Sequence, residues 1–141
     1  MATQKYYSLT NILKKNAVYN VIIGERSNGK TYSVLKYALK QRIEHGGQVA
    51  IVRRWKEDIS GRRAADIWKS LIANDEVTKL SNGQWTGITY WAGKFYLCNY
   101  DKEGKPIYNT DSDTLGYFFA LSYNEQNKSI SYPSITTILF E

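Results

Sequence analysis

The feature that most constrains this chain is an eight-residue segment, residues 24–31, which fits the pattern G-x-x-x-x-G-K-[ST] without a mismatch. A short β-branched run, residues 18–23, comes directly before it. After it, apolar residues recur at helical spacing from residue 30 to about residue 44. A strand, a glycine loop and an amphipathic helix in this order are typical of a phosphate-binding loop. The sequence therefore predicts such a loop, and an ordinary glycine turn is the alternative.

The residue types in this segment suit the binding of ATP with Mg²⁺. Gly24 lets the chain turn sharply, and Gly29 lets the backbone approach the phosphates. Lys30 is predicted to reach the β- and γ-phosphates, and Thr31 to offer its hydroxyl to Mg²⁺. Backbone N–H groups along the loop would complete the anion cradle. The predicted nucleotide-binding residues are Gly24, Glu25, Arg26, Ser27, Asn28, Gly29, Lys30 and Thr31.

A carboxylate at the end of a second apolar strand would complete a phosphoryl-transfer site. Residues 134–140 form a β-branched run, and Glu141 follows directly. In such sites a carboxylate at this position, the Walker B position, helps to bind Mg²⁺. We therefore predict that Glu141 has a catalytic, metal-linked role together with Thr31. For Arg26 two interpretations stay open, a contact with the γ-phosphate and an ion pair with a nearby carboxylate.

The order of the predicted elements favours an α/β fold. Strands at residues 18–23 and 48–52, joined by the helix from residue 30, make a βαβ unit with parallel strands. A helix, an antiparallel hairpin and two more strands are predicted at residues 62–73, 85–98, 117–122 and 134–140. We predict one α/β domain over residues 1–141, in which helices flank a parallel core sheet that carries an inserted antiparallel hairpin.

Composition and charge narrow the classes of function. A single cysteine and a single histidine exclude a disulfide framework and a cysteine- or histidine-based metal site. No apolar run is long enough for a membrane span, and the start lacks the apolar core of a signal peptide, so a cytoplasmic protein without a membrane partner is expected. Residues 1–72 hold 14 basic and 5 acidic residues, which favours a polyanionic partner; a solvated basic face is the alternative.

Two further groups of residues have a functional and a plain interpretation. Arg53, Arg54 and Lys56 follow the second predicted strand, where they would contact phosphate or another subunit, or form a solvated charge run. Aromatic residues alternate along the predicted hairpin, where a packed sheet is favoured over a platform for stacking bases. Lys128, taken from composition alone, is a surface lysine.

These segments together resemble the DNA-packaging ATPases of φ29-like phages, which are terminase-like ring translocases. The middle of the chain, about residues 62–115, matches mainly as a helix followed by a hairpin, with a longer loop here. The residues that carry the resemblance are Val21 to Gly24, Arg26, Gly29, Lys30, Tyr32, Val52, Arg53, Arg54, Lys56, Leu121, Ser122, Lys128, Ser129, Tyr132, Pro133, Thr137, Ile138 and Phe140.

The resemblance implies the additional-strand, catalytic-glutamate (ASCE) type of P-loop fold and ATP hydrolysis. It also implies a homomeric ring of five subunits at the portal vertex of a procapsid in the host cytoplasm, which pulls double-stranded DNA inward. Lys56 and Lys128 would then act in trans on a neighbour's nucleotide, with Arg53 as a further trans-acting candidate.

This sequence departs from the family pattern at its end. Glu141 stands where Asp is usual, and the acidic residue, sensor strands and C-terminal domain expected after it are not in this sequence. The chain is therefore expected to be an N-terminal piece of a motor, truncated at the Walker B strand, with the C-terminal part of the fold missing and weak or no turnover of its own. A small P-loop kinase and a non-enzymatic, basic and aromatic nucleic-acid-binding domain are the alternatives.

Overall fold

The computed structural model of the 141-residue chain describes residues 7–24, 29–55, 61–123 and 130–141. In these residues the helices are α1 (Thr10–Leu13), α2 (Lys30–His45), α3 (Gly61–Asp66), α4 (Lys69–Ala73) and α5 (Glu76–Leu80). The strands are β1 (Gln48–Arg53), β2 (Gly87–Trp91), β3 (Lys94–Tyr100), β4 (Pro106–Ile107), β5 (Thr114–Ala120) and β6 (Ile135–Phe140). A short 3₁₀ turn, Leu121–Tyr123, follows β5.

The strands form one mixed sheet of six strands. Its order is β2-β3-β5-β1-β6, and β4 pairs with β3 outside this path. β1 runs parallel to β5 on one side and to β6 on the other. β3 runs antiparallel to β2, β4 and β5. A parallel half and an antiparallel half are thus joined directly through the β3–β5 pair.

This sheet shows that the predicted P-loop NTPase fold class is wrong. Residues 17–24, which should include its first buried strand, form no strand. Val18, Tyr19, Val21 and Ile23 are between 84 and 91% exposed. The prediction also placed the antiparallel hairpin outside a parallel core sheet. In the structure β3 pairs with β5, so the hairpin is part of the main sheet. A β-branched run becomes a strand only where a partner and a buried face are available, and residues 18–23 have neither.

Of the other elements predicted from the sequence, some are confirmed and one helix is divided in two. The helix from residue 30 is confirmed as α2, which ends at Gly46 in a left-handed conformation. The strand at 48–52 is confirmed as β1, and the hairpin as β2 and β3 around the turn at Ala92 and Gly93. The helix predicted at 62–73 is divided into α3 and α4. The helices α1 and α5 and the strand β4 were not predicted from the sequence.

Helices α2 to α5 pack against the sheet and share one core cluster with it. Leu35, Ala38 and Leu39 of α2 are fully buried in the same cluster as Val49 and Ile51 of β1. The division between α3 and α4 places Trp68 in this core, where its ring meets that of Phe95 edge-on at 5.7 Å. These contacts hold α2, and therefore its N-terminal end, in a fixed position against β1.

An arginine also ties α2 to the antiparallel half of the sheet. Arg42 donates hydrogen bonds from Nε to the carbonyl of Thr114 at 2.7 Å and from Nη2 to that of Ser112 at 2.6 Å. Its guanidinium also lies 6.0 Å from the centre of the Trp85 ring. Burial lowers the pKa of the Arg42 guanidinium, and the charge of Asp113 opposes this effect. The side chain therefore connects α2 with the start of β5.

Candidate functional site

The N-terminal end of α2 lies where the sequence predicts a phosphate-binding loop. Gly29 occupies the N-cap with φ +84°, a left-handed conformation that favours glycine, and Lys30 is the first helical residue. Gly29 has no side chain to cap the helix, and α2 has 16 residues, so N–H groups and a partial positive charge face outward here. This end of the helix has the properties of an anion site.

The structure brings Thr31 and Glu141 together although 110 residues separate them in the sequence. The Thr31 hydroxyl Oγ1 donates a hydrogen bond to Oε1 of Glu141 at 3.0 Å. The backbone N–H of Glu141 donates to the carbonyl of Val52 at 3.1 Å, which continues the pairing of β6 with β1 by one residue. The carboxylate is therefore positioned by the sheet, and the hydroxyl by the first turn of α2.

Arg53 completes this cluster. Its Nη2 lies 3.1 Å from Oε2 of Glu141, and the two side chains are 32 and 37% exposed. Each carboxylate oxygen of Glu141 therefore has a donor of its own, Thr31 on one side and Arg53 on the other. For Arg53 the sequence left open a contact with phosphate, a contact with another subunit and a solvated charge run, and this pair with Glu141 was not predicted. The signal for it is that both residues stand at the carboxyl ends of adjacent parallel strands.

A cleft of about 1060 Å³ runs from this cluster along α2. α2 lines it with Lys30, Lys36 and Lys40, and residues between Tyr7 and Leu13 line it as well. Glu141 is also among the lining residues. The three lysines give the cleft a positive charge that suits an anionic ligand.

A second polar network, which the sequence analysis did not identify, borders the cleft. Glu76 of α5 is only 14% exposed and forms an ion pair with Lys36 at 3.4 Å. It also accepts a hydrogen bond from the Tyr32 hydroxyl at 3.2 Å, and Asn74 donates to that same hydroxyl at 3.1 Å. This network connects α2 with α5 and fixes the first two turns of α2 that face the cleft.

The donor set fits Mg²⁺ that arrives together with a nucleotide. The part of the chain that the structure describes contains no cluster of three or more His, Cys, Asp or Glu that could hold a metal alone. Mg²⁺, however, commonly takes one or two protein oxygens and completes its shell with water and phosphate. Because the Thr31 hydroxyl donates its hydrogen bond to Glu141, the lone pairs of its oxygen stay available for a cation. One hydroxyl and one carboxylate side by side therefore meet this requirement.

Of the remaining predicted nucleotide-binding and trans-acting residues, the structure describes only Gly24. Gly24 is exposed and lies outside any helix or strand. Glu25, Arg26, Ser27, Asn28, Lys56 and Lys128 lie outside the described residues. On the hairpin, Phe95 and Tyr96 are buried, as the packed-sheet interpretation predicts, whereas Trp91 is 67% exposed. Within the described ranges, no helix has the length and apolar character that a membrane crossing requires.

Solved structures support the fold described above. The chain is similar to the crystal structure of the N-terminal domain of the DNA packaging ATPase from bacteriophage phi29, with a TM-score of 0.69 and 23% identity over 96% of this chain and 58% of that one. It is also similar to a chain of the bacteriophage phi29 genome packaging motor assembly, with a TM-score of 0.67 over 96% of this chain and 35% of that one. At this identity the likeness shows the fold alone.

Sequence comparisons identify the family. The DNA packaging protein of Bacillus phage phi29 is 24% identical over 136 residues, which cover 96% of this chain and 34% of that protein. The DNA packaging protein of Bacillus phage B103 is 26% identical over 130 residues, or 92% of this chain and 33% of that protein. The chain thus spans about a third of the length of these relatives. The model of one family, described as podovirus DNA encapsidation protein (Gp16), matches residues 1–141, and the chain belongs to that family.

Proposed function

We propose that this chain is the nucleotide-binding part of a viral DNA-packaging motor and that MgATP binds at the N-terminal end of α2. The observation that carries the proposal is the hydrogen bond between Thr31 and Glu141. The phosphate-loop pattern singles out Thr31, and an independent argument about a strand end singles out Glu141. Their meeting across 110 residues supports both assignments.

The phosphates would be held by the first turn of α2. The N–H groups at the end of a 16-residue helix point toward an anion placed there, and the helix dipole favours its charge. Lys30 adds a full positive charge at the first helical position. Gly29 leaves room for close approach because it has no Cβ.

Thr31 and Glu141 would hold the cation that accompanies the phosphates. When bound, Mg²⁺ offsets negative charge on the β- and γ-phosphates. The carboxylate of Glu141 accepts the hydrogen bond of the Thr31 hydroxyl and so directs the lone pairs of the hydroxyl oxygen toward the cation. The rest of the nucleotide would lie in the adjacent cleft, whose volume of about 1060 Å³ is ample for a small-molecule site.

Membership in the DNA encapsidation family supports the motor role. We propose that the longer protein hydrolyses ATP in a ring of five subunits at the portal vertex of a procapsid, in the host cytoplasm, and moves double-stranded DNA. This chain alone would bind the nucleotide with weak or no turnover. The excess of basic residues in residues 1–72 agrees with a polyanionic partner. The trans-acting roles of Lys56, Lys128 and Arg53 stay predictions.

Titration calorimetry of the 141-residue chain with ATP and Mg²⁺ tests the proposed site. The Lys30→Ala variant removes a charge at the phosphates, and the loss of a charge-assisted contact weakens binding about tenfold or more. The matched control is Lys102→Ala, which removes the same charge from the exposed turn between β3 and β4 and leaves the affinity unchanged.

Equal affinity of the Lys30→Ala variant and the unmodified chain would refute the site. If the chain ignored ATP but bound DNA with a steep salt dependence, the nucleic-acid-binding alternative would replace this proposal.

A further inference from the structure

We infer that Arg53 is a positioning residue of the proposed nucleotide site: it holds the Glu141 carboxylate so that the Thr31 hydroxyl presents its lone pairs to the nucleotide-bound cation. This inference rests on the proposed function. It assigns Arg53 a role within its own chain, through a neighbouring side chain rather than through contact with the nucleotide.

The backbone fixes where Arg53 and Glu141 meet. Val52 of β1 stands beside Phe140 of β6 in the parallel pair, and the Glu141 N–H donates to the Val52 carbonyl at 3.1 Å. The next residue of each strand therefore projects its side chain from the same edge of the sheet. Arg53 Nη2 reaches Oε2 of Glu141 at 3.1 Å, while Thr31 occupies Oε1.

Glu141 needs such a partner because of its length and exposure. A glutamate side chain has three rotatable bonds, and this one is 37% exposed, so packing alone does not fix its carboxylate. With a different donor on each oxygen, the plane of the carboxylate is defined. The direction in which the Thr31 hydroxyl points depends on that plane, because Oε1 is the acceptor of its proton.

The positioning role and a purely electrostatic role predict opposite effects. If Arg53 acted only through its charge, its removal would leave Glu141 more negative in its surroundings and would strengthen binding of the cation. If Arg53 acts by orientation, its removal lets the carboxylate rotate and weakens binding of the cation. Binding of the phosphates without a metal changes little in the second case, because Lys30 and the helix end act on them directly.

The test measures the dissociation constant for ATP with Mg²⁺ and again with EDTA, and the ratio of the two gives the metal enhancement. We expect Arg53→Ala to lower this enhancement about tenfold, as is usual when a residue that orients a metal ligand is removed. Arg53→Lys, which keeps a donor within reach of Glu141, restores part of it. Arg63→Ala is the matched control, since it removes the same charge from an exposed position in α3.

A double-mutant cycle with Glu141→Gln shows whether Arg53 acts through Glu141. Once the carboxylate is absent, Arg53→Ala should cause no further loss of metal enhancement. Circular dichroism shows whether each variant is folded. If Arg53→Ala does not fold, the Arg53→Lys variant is compared with the unmodified chain instead.

Three results would overturn the inference: an enhancement in Arg53→Ala that is unchanged or larger, losses in the cycle that simply add, or an equal loss in Arg63→Ala. Failure of the unmodified chain to bind ATP at all would instead overturn the proposed function, and this inference with it.

Discussion

Two neighbouring side chains on β3 make the stability of the chain sensitive to alkaline pH. Cys98 is fully buried, and burial raises the pKa of its thiol. Tyr100 is 47% exposed, and its partial burial together with the hydrogen bond to Cys98 raises the pKa of its hydroxyl to about 12. Both pKa values are higher in the folded chain than in the unfolded chain. The protonated forms of these two side chains therefore contribute fully to the free energy of unfolding below their pKa values in the unfolded chain. This contribution is lost as the pH rises through their pKa values in the folded chain.

We expect the midpoint of urea unfolding to fall as the pH is raised from 8 to 11. The unfolded chain ionises its thiol near pH 8.5 and its tyrosine near pH 10, and ionisation favours the unfolded state because the folded state resists it. Tyr100→Phe removes one of the two groups and should lose less stability between pH 10 and 11. Equal losses for the variant and the unmodified chain would show that Tyr100 does not contribute.

At the same scale, the sequence indicated part of the candidate site. The phosphate-loop pattern and the strand end identify Thr31 and Glu141, because each lies next to an element that the sequence makes recognisable. The Arg53–Glu141 pair was missed because it depends on β6 lying beside β1. Glu76 was missed because its partners, Tyr32 and Lys36, belong to a helix that is distant in the sequence.

At the scale of elements, the sequence pattern correctly predicted the helix and the hairpin whose signals lie within a short stretch of the chain. α2 and the β2–β3 hairpin are confirmed, since helical spacing and a two-residue turn are local signals. The strand expected at residues 18–23 is absent although its composition favours β-structure. Strand formation depends on pairing, and the mixed sheet uses β5 and β6 as the two neighbours of β1 instead.

The pairing of β1 with β5 allows a sharp test of the sheet. Gly116 lies opposite Val49, and a Cβ at this position would overlap the carbonyl oxygen of Val49. Because that obstacle is backbone in the middle of the sheet, it can move only by disturbing the ladder. We expect Gly116→Ala to lower the free energy of unfolding by about 1–3 kcal/mol or more, measured by urea denaturation.

Gly104→Ala serves as the control for this substitution. Gly104 lies in an exposed turn with open space around it, and only its φ of +82° opposes alanine, so a loss of about 1 kcal/mol is expected. If Gly116→Ala lowered the free energy of unfolding no more than Gly104→Ala does, β1 and β5 would not approach each other as closely as described.

At the scale of the whole molecule, the candidate site combines residues from the basic and the acidic half of the chain. Residues 1–72 carry most of the positive charge and include α2, β1 and Arg53, whereas residues 73–141 carry 5 basic and 8 acidic residues and include Glu141. The charge that would attract phosphates and the carboxylate that would bind their cation therefore come from opposite halves of the chain. Folding of the sheet, through β1 and β6, brings them together.

The proposed ring leads to a prediction for the longer motor. Lys56 and Lys128 lie outside residues 24–31, so Lys56→Ala and Lys128→Ala should leave ATP binding by an isolated subunit nearly unchanged. Each should reduce hydrolysis by the assembled ring, since a positive charge supplied by the next subunit would offset charge that develops on the γ-phosphate. Binding is measured by calorimetry and hydrolysis by release of phosphate.

Mixed rings separate a role in trans from a role in cis. A subunit with Lys30→Ala lacks the phosphate contact but keeps Lys56 and Lys128, so it can supply them to a neighbour whose own phosphate site is intact. Mixing it with either lysine variant should therefore restore part of the turnover that each lacks alone. If ATP binding by the isolated subunit were lost, these lysines would belong to the local nucleotide site. If turnover of the ring were unaffected, they would be ordinary surface charges.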